Sequence, residues 1–458
     1  MSEAMISHHA LHAGLDSTPA MEDIFSDRRR VQMMLDVEAA LALAEARHQV
    51  IPESAVEPIR AACAVDNIDF VALARDAAAA GNLAIPLVRQ LTAGVARTDV
   101  EAAKFVHWGA TSQDIIDSGM VLQLRAALSV IEGELQKLGD VLAALAVQHE
   151  HTLQAGRTWM QHALPITFGL KIAGWLDALQ RHRARMVQAR AQCAVLQFGG
   201  AAGTLASLGT QGLLVAHSLA DELQLALPAT PWHAGRDRFA EVATTLGLLT
   251  GTLGKMARDI ALLAQTEVGE LAEPAGAGRG ASSAMPHKRN PVSCAATLAA
   301  AQRVPGLVAT MLAAMTQENE RALGGWQAEW ESLPQIVQLT ACALHHMLGV
   351  CSGLQVDTER MRFNIDLTQG QIMAEAVSLA LGAKIGRQAA HELVERACHA
   401  SGKRHLRSVL EQDGVIGAHL STKELDHLFD PANYIGQAGE FVERVVQAWA
   451  GKAEGEKK

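Results

Sequence analysis

One stretch of this chain, residues 276–291, is dense in groups that could act on an anion. Its first half consists of glycine and other small residues, which allow backbone conformations with positive φ. Its second half supplies two serines, a histidine, two cations and an amide before Pro291, a residue suited to the first turn of a helix. Free N–H groups and the helix dipole both favour negative charge at such a position. The stretch therefore predicts an anion-binding loop, with a solvated surface loop as the alternative.

Two other polar stretches separate long apolar runs. The first contains His107, Thr111, Ser112 and Gln113, and the second covers residues 156–165. Hydroxyl and amide groups can bind a polar ligand, although Thr111 or Ser112 could also serve only as a helix cap. These two stretches and residues 278–291 are the three candidate segments of the site. Each of them connects two predicted elements, and we call them joints.

The elements that must position these joints are helices. Apolar residues recur at helical spacing in long runs, whereas alternating strand-like runs are few. The predicted long helices cover residues 115–151, 166–196, 239–268, 292–323 and 331–354. Helices of this length are typical of elongated bundles, so the sequence predicts an all-α protein.

Composition narrows the class of protein. The 458 residues carry a net charge of −10, which argues against a nucleic-acid-binding protein, because such proteins usually present a basic face. The six cysteines form no C-x-x-C pair, which fits buried thiols in a reducing compartment better than disulfides or a zinc site. Charged residues interrupt the longest apolar runs, so no membrane span is expected. The N-terminal residues show no basic–apolar–small pattern, so no signal peptide is expected. These features predict a cytoplasmic protein.

The three joints also predict an oligomer. Successive joints lie at opposite ends of a straight bundle whose helices rise about 1.5 Å per residue. They could therefore meet only if several copies of the chain lie side by side.

The run at residues 282–291, Ser-Ser-Ala-Met-Pro-His-Lys-Arg-Asn-Pro, closely resembles the signature loop of the fumarase/aspartase superfamily. Residues 24–28, 107–114, 156–158, 236–241 and 430–436 resemble further landmarks of that superfamily in the expected order. The resemblance implies a homotetramer built on a multi-helix core, with each active site shared between subunits and no metal or cofactor. It also implies three parts, an N-terminal helical domain (1–112), a central bundle (113–356) and a small helical C-terminal domain (357–458).

The resemblance also implies roles for particular residues. Ser282 matches the catalytic base, and Lys288 matches a residue that holds the developing negative charge. His162 is a second candidate for proton transfer, with a structural role as the alternative. Contacts with a small polycarboxylate substrate are implied for a larger set: His107, Thr111, Ser112, Gln113, Arg157, Thr158, Trp159, Ser283, Met285 and Asn290.

One departure from the superfamily pattern bears on the reaction. Trp159 stands where the superfamily usually has an acid-side histidine, and an indole cannot protonate a leaving amine. A carboxylate that adds to an alkene needs no such acid. The chain thus resembles the branch that cyclises 3-carboxy-cis,cis-muconate to a carboxymuconolactone in the breakdown of aromatic compounds. A second departure is Ala281, where glycine is usual.

Two alternatives stay open from the sequence. The first is a fumarate-forming C–N lyase similar to adenylosuccinate lyase. The second is a catalytically silent structural protein, as in the lens crystallins of the argininosuccinate lyase branch. The intact Ser282, Lys288 and Asn290 argue against the second alternative.

Overall fold

Short helices form the N-terminal part of the chain. The structure, a computed structural model, describes residues 12–276, 279–285, 287–321 and 323–455. The first helices are α1 (Ala13–Asp16), α2 (Pro19–Ile24), α3 (Asp27–Arg47), α4 (Val56–Ala62), α5 (Phe70–Ala80) and α6 (Ala84–Ala96). α3 is the longest of them, and the hydroxyl of Ser26 caps its start by accepting the N–H of Arg29 at 3.1 Å.

Long helices dominate the middle of the chain. In order, the elements are α7 (Ser112–Gln148), β1 (Leu153–Thr158), β2 (Gln161–Thr167), α8 (Phe168–Cys193), α9 (Gly212–Leu223), α10 (Asp237–Leu263), β3 (Leu271–Ala272), α11 (Val292–Ala314), α12 (Gly325–Ser352) and β4 (Gln355–Val356). The all-α class and the five long helices are confirmed. Their leucine and alanine content explains why they form, since both residues favour helix and pack closely.

Two details of the predicted elements were wrong. The fourth long helix ends at Ala314, not near residue 323, and the amide of Gln317 donates to the carbonyl of Ala314 at 2.8 Å. The segment between α7 and α8 is an antiparallel hairpin with a two-residue turn at Trp159 and Met160. Neither residue is typical of such turns, which favour asparagine and glycine, so the sequence carried no hairpin signal.

The C-terminal part contains the helices α13 (Thr358–Asp366), α14 (Ala374–Ile385), α15 (Arg387–Ser401), α16 (Leu406–Gln412), α17 (Gly414–His419), α18 (Thr422–Leu428) and α19 (Ala438–Gly455). A cluster of buried aliphatic residues, including Val377, Leu381 and Leu410, forms its core. Burial of the apolar surface of this cluster stabilises the C-terminal part.

Two compact units divide the chain. Unit 1 takes in the described residues of 1–134, 182–253 and 296–345, and unit 2 those of 135–181, 254–295 and 346–458. The boundaries fall inside the five long helices. This partition differs from the three parts expected from the sequence, which stay a prediction.

One helix of the described residues, α11, is long and apolar enough to cross a membrane by length and composition alone. One third (33%) of its most apolar window is buried. Core helices of proteins that never enter a membrane pass the same test, so this property does not identify a membrane span.

Candidate active site

The signature loop (residues 279–291, apart from 286, which lies outside the described residues) belongs to unit 2 and is closed at its neck. The N–H of Asn290 donates to the carbonyl oxygen of Gly280 at 2.9 Å. Gly280 has a φ of +66°, and a Cβ there would lie 2.4 Å from the carbonyl oxygen of Asn290. Only glycine fits, because the backbone conformation and the close approach both exclude a side chain. The neck therefore fixes the loop immediately before α11.

Ser282 lies inside the signature loop and is half-buried. Its Oγ accepts the backbone N–H of Met285 at 3.0 Å and that of Ala284 at 3.3 Å. Fixed N–H donors that point at an oxygen stabilise negative charge that develops there. This geometry suits a serine that gives up its proton. The side chains of Ser283 and Met285 are exposed.

A cleft of about 580 Å³ lies beside the loop in unit 2. Its lining includes Lys288 and Asn290, the two residues matched to carboxylate binding. Three further basic side chains also line it, those of Arg279, His287 and Arg289, against one carboxylate, that of Glu273. The excess of positive charge favours an anionic ligand.

Glu273 fastens the loop to α11. Its carboxylate accepts the N–H of Cys294 at 2.8 Å and that of Ser293 at 3.3 Å, which caps the helix. Arg279 donates to the hydroxyl of Ser293 at 2.9 Å, and Arg289 donates to the carbonyl of Glu273 at 2.9 Å. Glu273 carries no signal in the sequence, because a cap twenty residues ahead of its helix leaves no local pattern.

The hairpin joint, also in unit 2, is held at its base by an ion pair. Both terminal nitrogens of Arg157 donate to the fully buried carboxylate of Glu270, at 2.5 and 3.2 Å. Gln154 and Asn364 each donate to the same carboxylate at 2.7 Å. Glu270 therefore accepts four hydrogen bonds, and Arg157 is oriented by it in a bidentate pair.

The tip of the hairpin presents Trp159 to solvent. Trp159 is 98% exposed, its neighbour Met160 is 70% exposed, and Thr158 at the end of β1 is also exposed. Trp159 and Met160 have φ of +53° and +65°, a left-handed conformation that costs energy for residues with a side chain. The hairpin thus holds a large apolar ring outside the chain's own core.

His162 lies opposite Arg157 in the hairpin. Its side chain is half-buried, and its Nδ1 has no hydrogen-bond partner among the described residues. Burial lowers the pKa of His162, the charge of Arg157 lowers it further, and Glu270 opposes the change only in part. The imidazole is therefore mostly neutral at neutral pH, a state in which it can accept a proton.

The third joint, residues 107–114, belongs to unit 1 and is anchored by Asp114. The Asp114 carboxylate accepts the N–H groups of Thr111, Gly199 and Gly200 at 2.9 to 3.0 Å, and lies 2.7 Å from Nε2 of His233. Ser112 is the first residue of α7. Asp114 was not selected from the sequence, although its position three residues after Thr111 is typical of a helix-capping acid.

Gln113 is fully buried in unit 1. Its amide nitrogen donates to Asp117 at 3.0 Å and to the carbonyl of His233 at 2.9 Å, whereas its Oε1 has no hydrogen-bond partner within the described part of the chain. These bonds order the start of α7. A substrate contact of Gln113 stays a prediction.

His107 and Thr111 each have a charged partner. Nδ1 of His107 lies 2.6 Å from the buried carboxylate of Glu38, and Arg321 donates to the Thr111 hydroxyl at 3.0 Å. Burial lowers the pKa of His107, but the charges of Glu38 and Asp114 outweigh burial, so its pKa is raised. The Glu38 and Asp114 carboxylates therefore favour the protonated form of the His107 ring.

A buried ion-pair network lies beside this joint. The guanidinium of Arg236 donates to Asp117 at 2.6 Å and to Glu329 at 2.6 Å, and all three side chains are almost fully buried. The indole N–H of Trp326 also donates to Asp117, at 3.0 Å, so Trp326 is held in the core. Residues 236–241 were matched to the superfamily, but the partners of Arg236 were not foreseen.

The buried carboxyl group of Glu45 should make the free energy of unfolding depend on pH. Both of its carboxylate oxygens are buried, with no hydrogen-bond partner among the residues that the structure describes, and burial together with Glu38 raises its pKa from 4.5 to about 9. The folded chain therefore holds a proton that the unfolded chain releases above pH 4.5. Stability should fall as pH rises from 4.5 towards 9, by about 1.4 kcal/mol per pH unit from this group.

The substitution Glu45→Gln should remove that slope, because glutamine does not titrate. We expect the variant and the wild type to unfold alike near pH 5, and the variant to be more stable by at least about 2 kcal/mol at pH 8. Urea unfolding at both pH values measures this, with the exposed Glu53→Gln as control. Equal pH dependence in the variant and the wild type would contradict the prediction.

Comparison with known proteins shows the family to which this chain belongs. The lyase family model matches residues 15–306, and the model of the adenylosuccinate lyase C-terminus matches residues 370–445. The first of these covers more than half of the chain.

Individual relatives are similar over nearly the whole chain. A 3-carboxy-cis,cis-muconate cycloisomerase of Pseudomonas aeruginosa is 58% identical over 428 residues, which cover 93% of each protein. A protein of the same name from Pseudomonas putida is 52% identical and covers 90% of this chain and 98% of that relative. The crystal structure of 3-carboxy-cis,cis-muconate lactonizing enzyme from Pseudomonas putida matches with a TM-score of 0.92 at 51% identity, over 96% of this chain and 99% of that one. The chain therefore belongs to the lyase family of the fumarase/aspartase superfamily, as its signature loop predicts.

Proposed function

We propose that this chain is an enzyme that converts 3-carboxy-cis,cis-muconate to a carboxymuconolactone. The observation that carries the proposal is the 58% identity, over 93% of both chains, to a relative named 3-carboxy-cis,cis-muconate cycloisomerase. The reaction belongs to the protocatechuate branch of aromatic-compound breakdown, and we place it in the cytoplasm. Nucleic acid and membrane have no part in it.

The reaction is an intramolecular addition. A carboxylate oxygen of the substrate forms a bond to an alkene carbon, and the π electrons move onto a neighbouring carboxyl group as an aci-carboxylate. Lys288 and Asn290, in the wall of the basic cleft, suit the stabilisation of that charge. A proton then joins the adjacent carbon, so no atom is lost and no redox partner is needed.

Trp159 fits this reaction better than an elimination of an amine. The leaving group in the reverse direction is a carboxylate, which departs without protonation. An indole in place of an acidic histidine therefore removes no group that this reaction needs. The exposed ring can instead cover an apolar part of a substrate bound in an assembled site.

Ser282 is the preferred group for proton transfer. In the forward direction its hydroxyl gives a proton to carbon, and the N–H groups of Ala284 and Met285 stabilise the alkoxide that remains. In the reverse direction that alkoxide takes the proton back from carbon. His162 is the less suitable donor, because its lowered pKa leaves few protonated rings at neutral pH.

The active form is a homotetramer whose sites are shared between subunits. A seam of exposed residues on α11, Ala295, Ala299, Gln302, Gly306, Ala309 and Ala313, repeats every three or four positions. Five of the six are alanine or glycine, and small residues at this spacing allow close helix packing with another copy. A molar mass four times that of the chain, from light scattering, would support the assembly.

The decisive assay is the ultraviolet absorbance of the conjugated diene. When purified enzyme meets 3-carboxy-cis,cis-muconate, the absorbance should fall at a typical enzymatic rate, about 1–1,000 turnovers per second. Adenylosuccinate is the control substrate, because a fumarate-forming lyase is the alternative that the C-terminal family match leaves. Fumarate from adenylosuccinate with a stable diene would reject the proposal.

A further inference from the structure

We propose that Glu38 is a positioning residue that keeps His107 protonated as a donor to one substrate carboxylate. The inference rests on the proposed function, because that reaction supplies the substrate carboxylate to which His107 would donate. The role of Glu38 follows from its contact with His107 and not from the signature loop.

The geometry of the pair is that of an oriented imidazolium. Glu38 lies on α3 with its side chain 1% exposed, and its Oε1 is 2.6 Å from Nδ1 of His107. No hydrogen bond of the described residues uses Nε2, and the His107 side chain is 18% exposed. Nδ1 is therefore committed to the buried acid, while Nε2 is free to donate outward.

The backbone holds the ring in this orientation. His107 has a φ of +59°, a conformation that a residue with a side chain adopts at a cost. Asp114 fixes the following residues by accepting the N–H of Thr111, and a Cβ on Gly109 would lie 2.6 Å from the side chain of Leu208. Strain maintained by such contacts is typical of a functional position.

Two carboxylates beside the ring favour its protonated form. Glu38 from α3 and Asp114 from α7 face His107, and both raise its pKa against the effect of burial. Glu45 and Cys63 lie near Glu38, and burial raises the pKa of each, so both are neutral at neutral pH. Glu38 is thus the anion in direct contact with the ring.

The test is Glu38→Gln, with the exposed Asp36→Asn on the same helix as control. Glutamine keeps the size of the side chain but removes the charge, so burial should lower the pKa of His107. KM for 3-carboxy-cis,cis-muconate should rise about tenfold at neutral pH, as for loss of one charge-assisted hydrogen bond, while kcat changes less than threefold. The pH at which affinity declines should move down by one unit or more.

Tricarballylate, a tricarboxylate that cannot cyclise, separates this inference from the proposed function. Its affinity by calorimetry should show the same downward shift in the pH midpoint, even if the wild type fails to consume the diene. An unchanged pH midpoint in Glu38→Gln would overturn the proposal, as would an equal loss of affinity at every pH, which indicates damage to the fold. Asp36→Asn should behave as the wild type.

Discussion

Replacing Ser282 with alanine should lower kcat for the cyclisation by about 10²- to 10⁴-fold, the usual contribution of a positioned proton-transfer group. The substitution removes only the hydroxyl, so the N–H groups of Ala284 and Met285 lose Oγ of Ser282 as their acceptor. KM should change little, because Lys288, Arg279 and Arg289 keep the positive charge of the cleft. Initial rates of diene loss at saturating substrate measure the effect.

The exposed Ser54→Ala is the matched control, and should retain wild-type kcat and KM. His162→Ala distinguishes the two candidates for proton transfer: we expect it to retain most of kcat. If His162→Ala were inactive and Ser282→Ala active, the roles that we assign to these two residues would be reversed. If neither variant lost activity, the proton would come from another group.

Replacing Arg236 with methionine should lower the free energy of unfolding by about 3–5 kcal/mol. The substitution keeps a long side chain but leaves Asp117 and Glu329 buried without their counter-ion. Burial already raises the pKa of Glu329, and the removal of Arg236 removes the main opposing influence. The ring contacts of the guanidinium with Trp232 and Phe239, at 5.1 and 5.0 Å, are also lost.

Urea unfolding at one fixed protein concentration measures this effect, because oligomer stability depends on concentration. Arg238→Met is the control: Arg238 lies two positions away, is half-buried, and donates to the carbonyl of Gln192 at 2.8 Å. Its loss should cost no more than about 1 kcal/mol. Adding Asp117→Asn and Glu329→Gln to Arg236→Met should recover part of the stability, because the unpaired charges are then gone. Equal stability of Arg236→Met and the wild type would contradict the prediction.

The long helices could be predicted because their hydrogen bonds are local. A helix pairs each N–H with the carbonyl four residues earlier, so apolar spacing along α7 or α10 carries the necessary information. The hairpin could not be predicted in this way. Its turn at Trp159 and Met160 lacks the residues that favour positive φ, and its conformation depends on what β1 and β2 pack against.

The sequence by itself determined the family, the signature loop and the reaction class, since Ser282, Lys288 and Asn290 are close in the chain and Trp159 is an unusual residue at a recognisable position. Only the tertiary structure decided which buried partners hold the other polar residues of the chain. Glu38 and His107 are 69 residues apart, Arg157 and Glu270 are 113 apart, and Arg236 and Asp117 are 119 apart. Burial strengthens these pairs by excluding water, and neither burial nor a contact over that distance is encoded in local spacing.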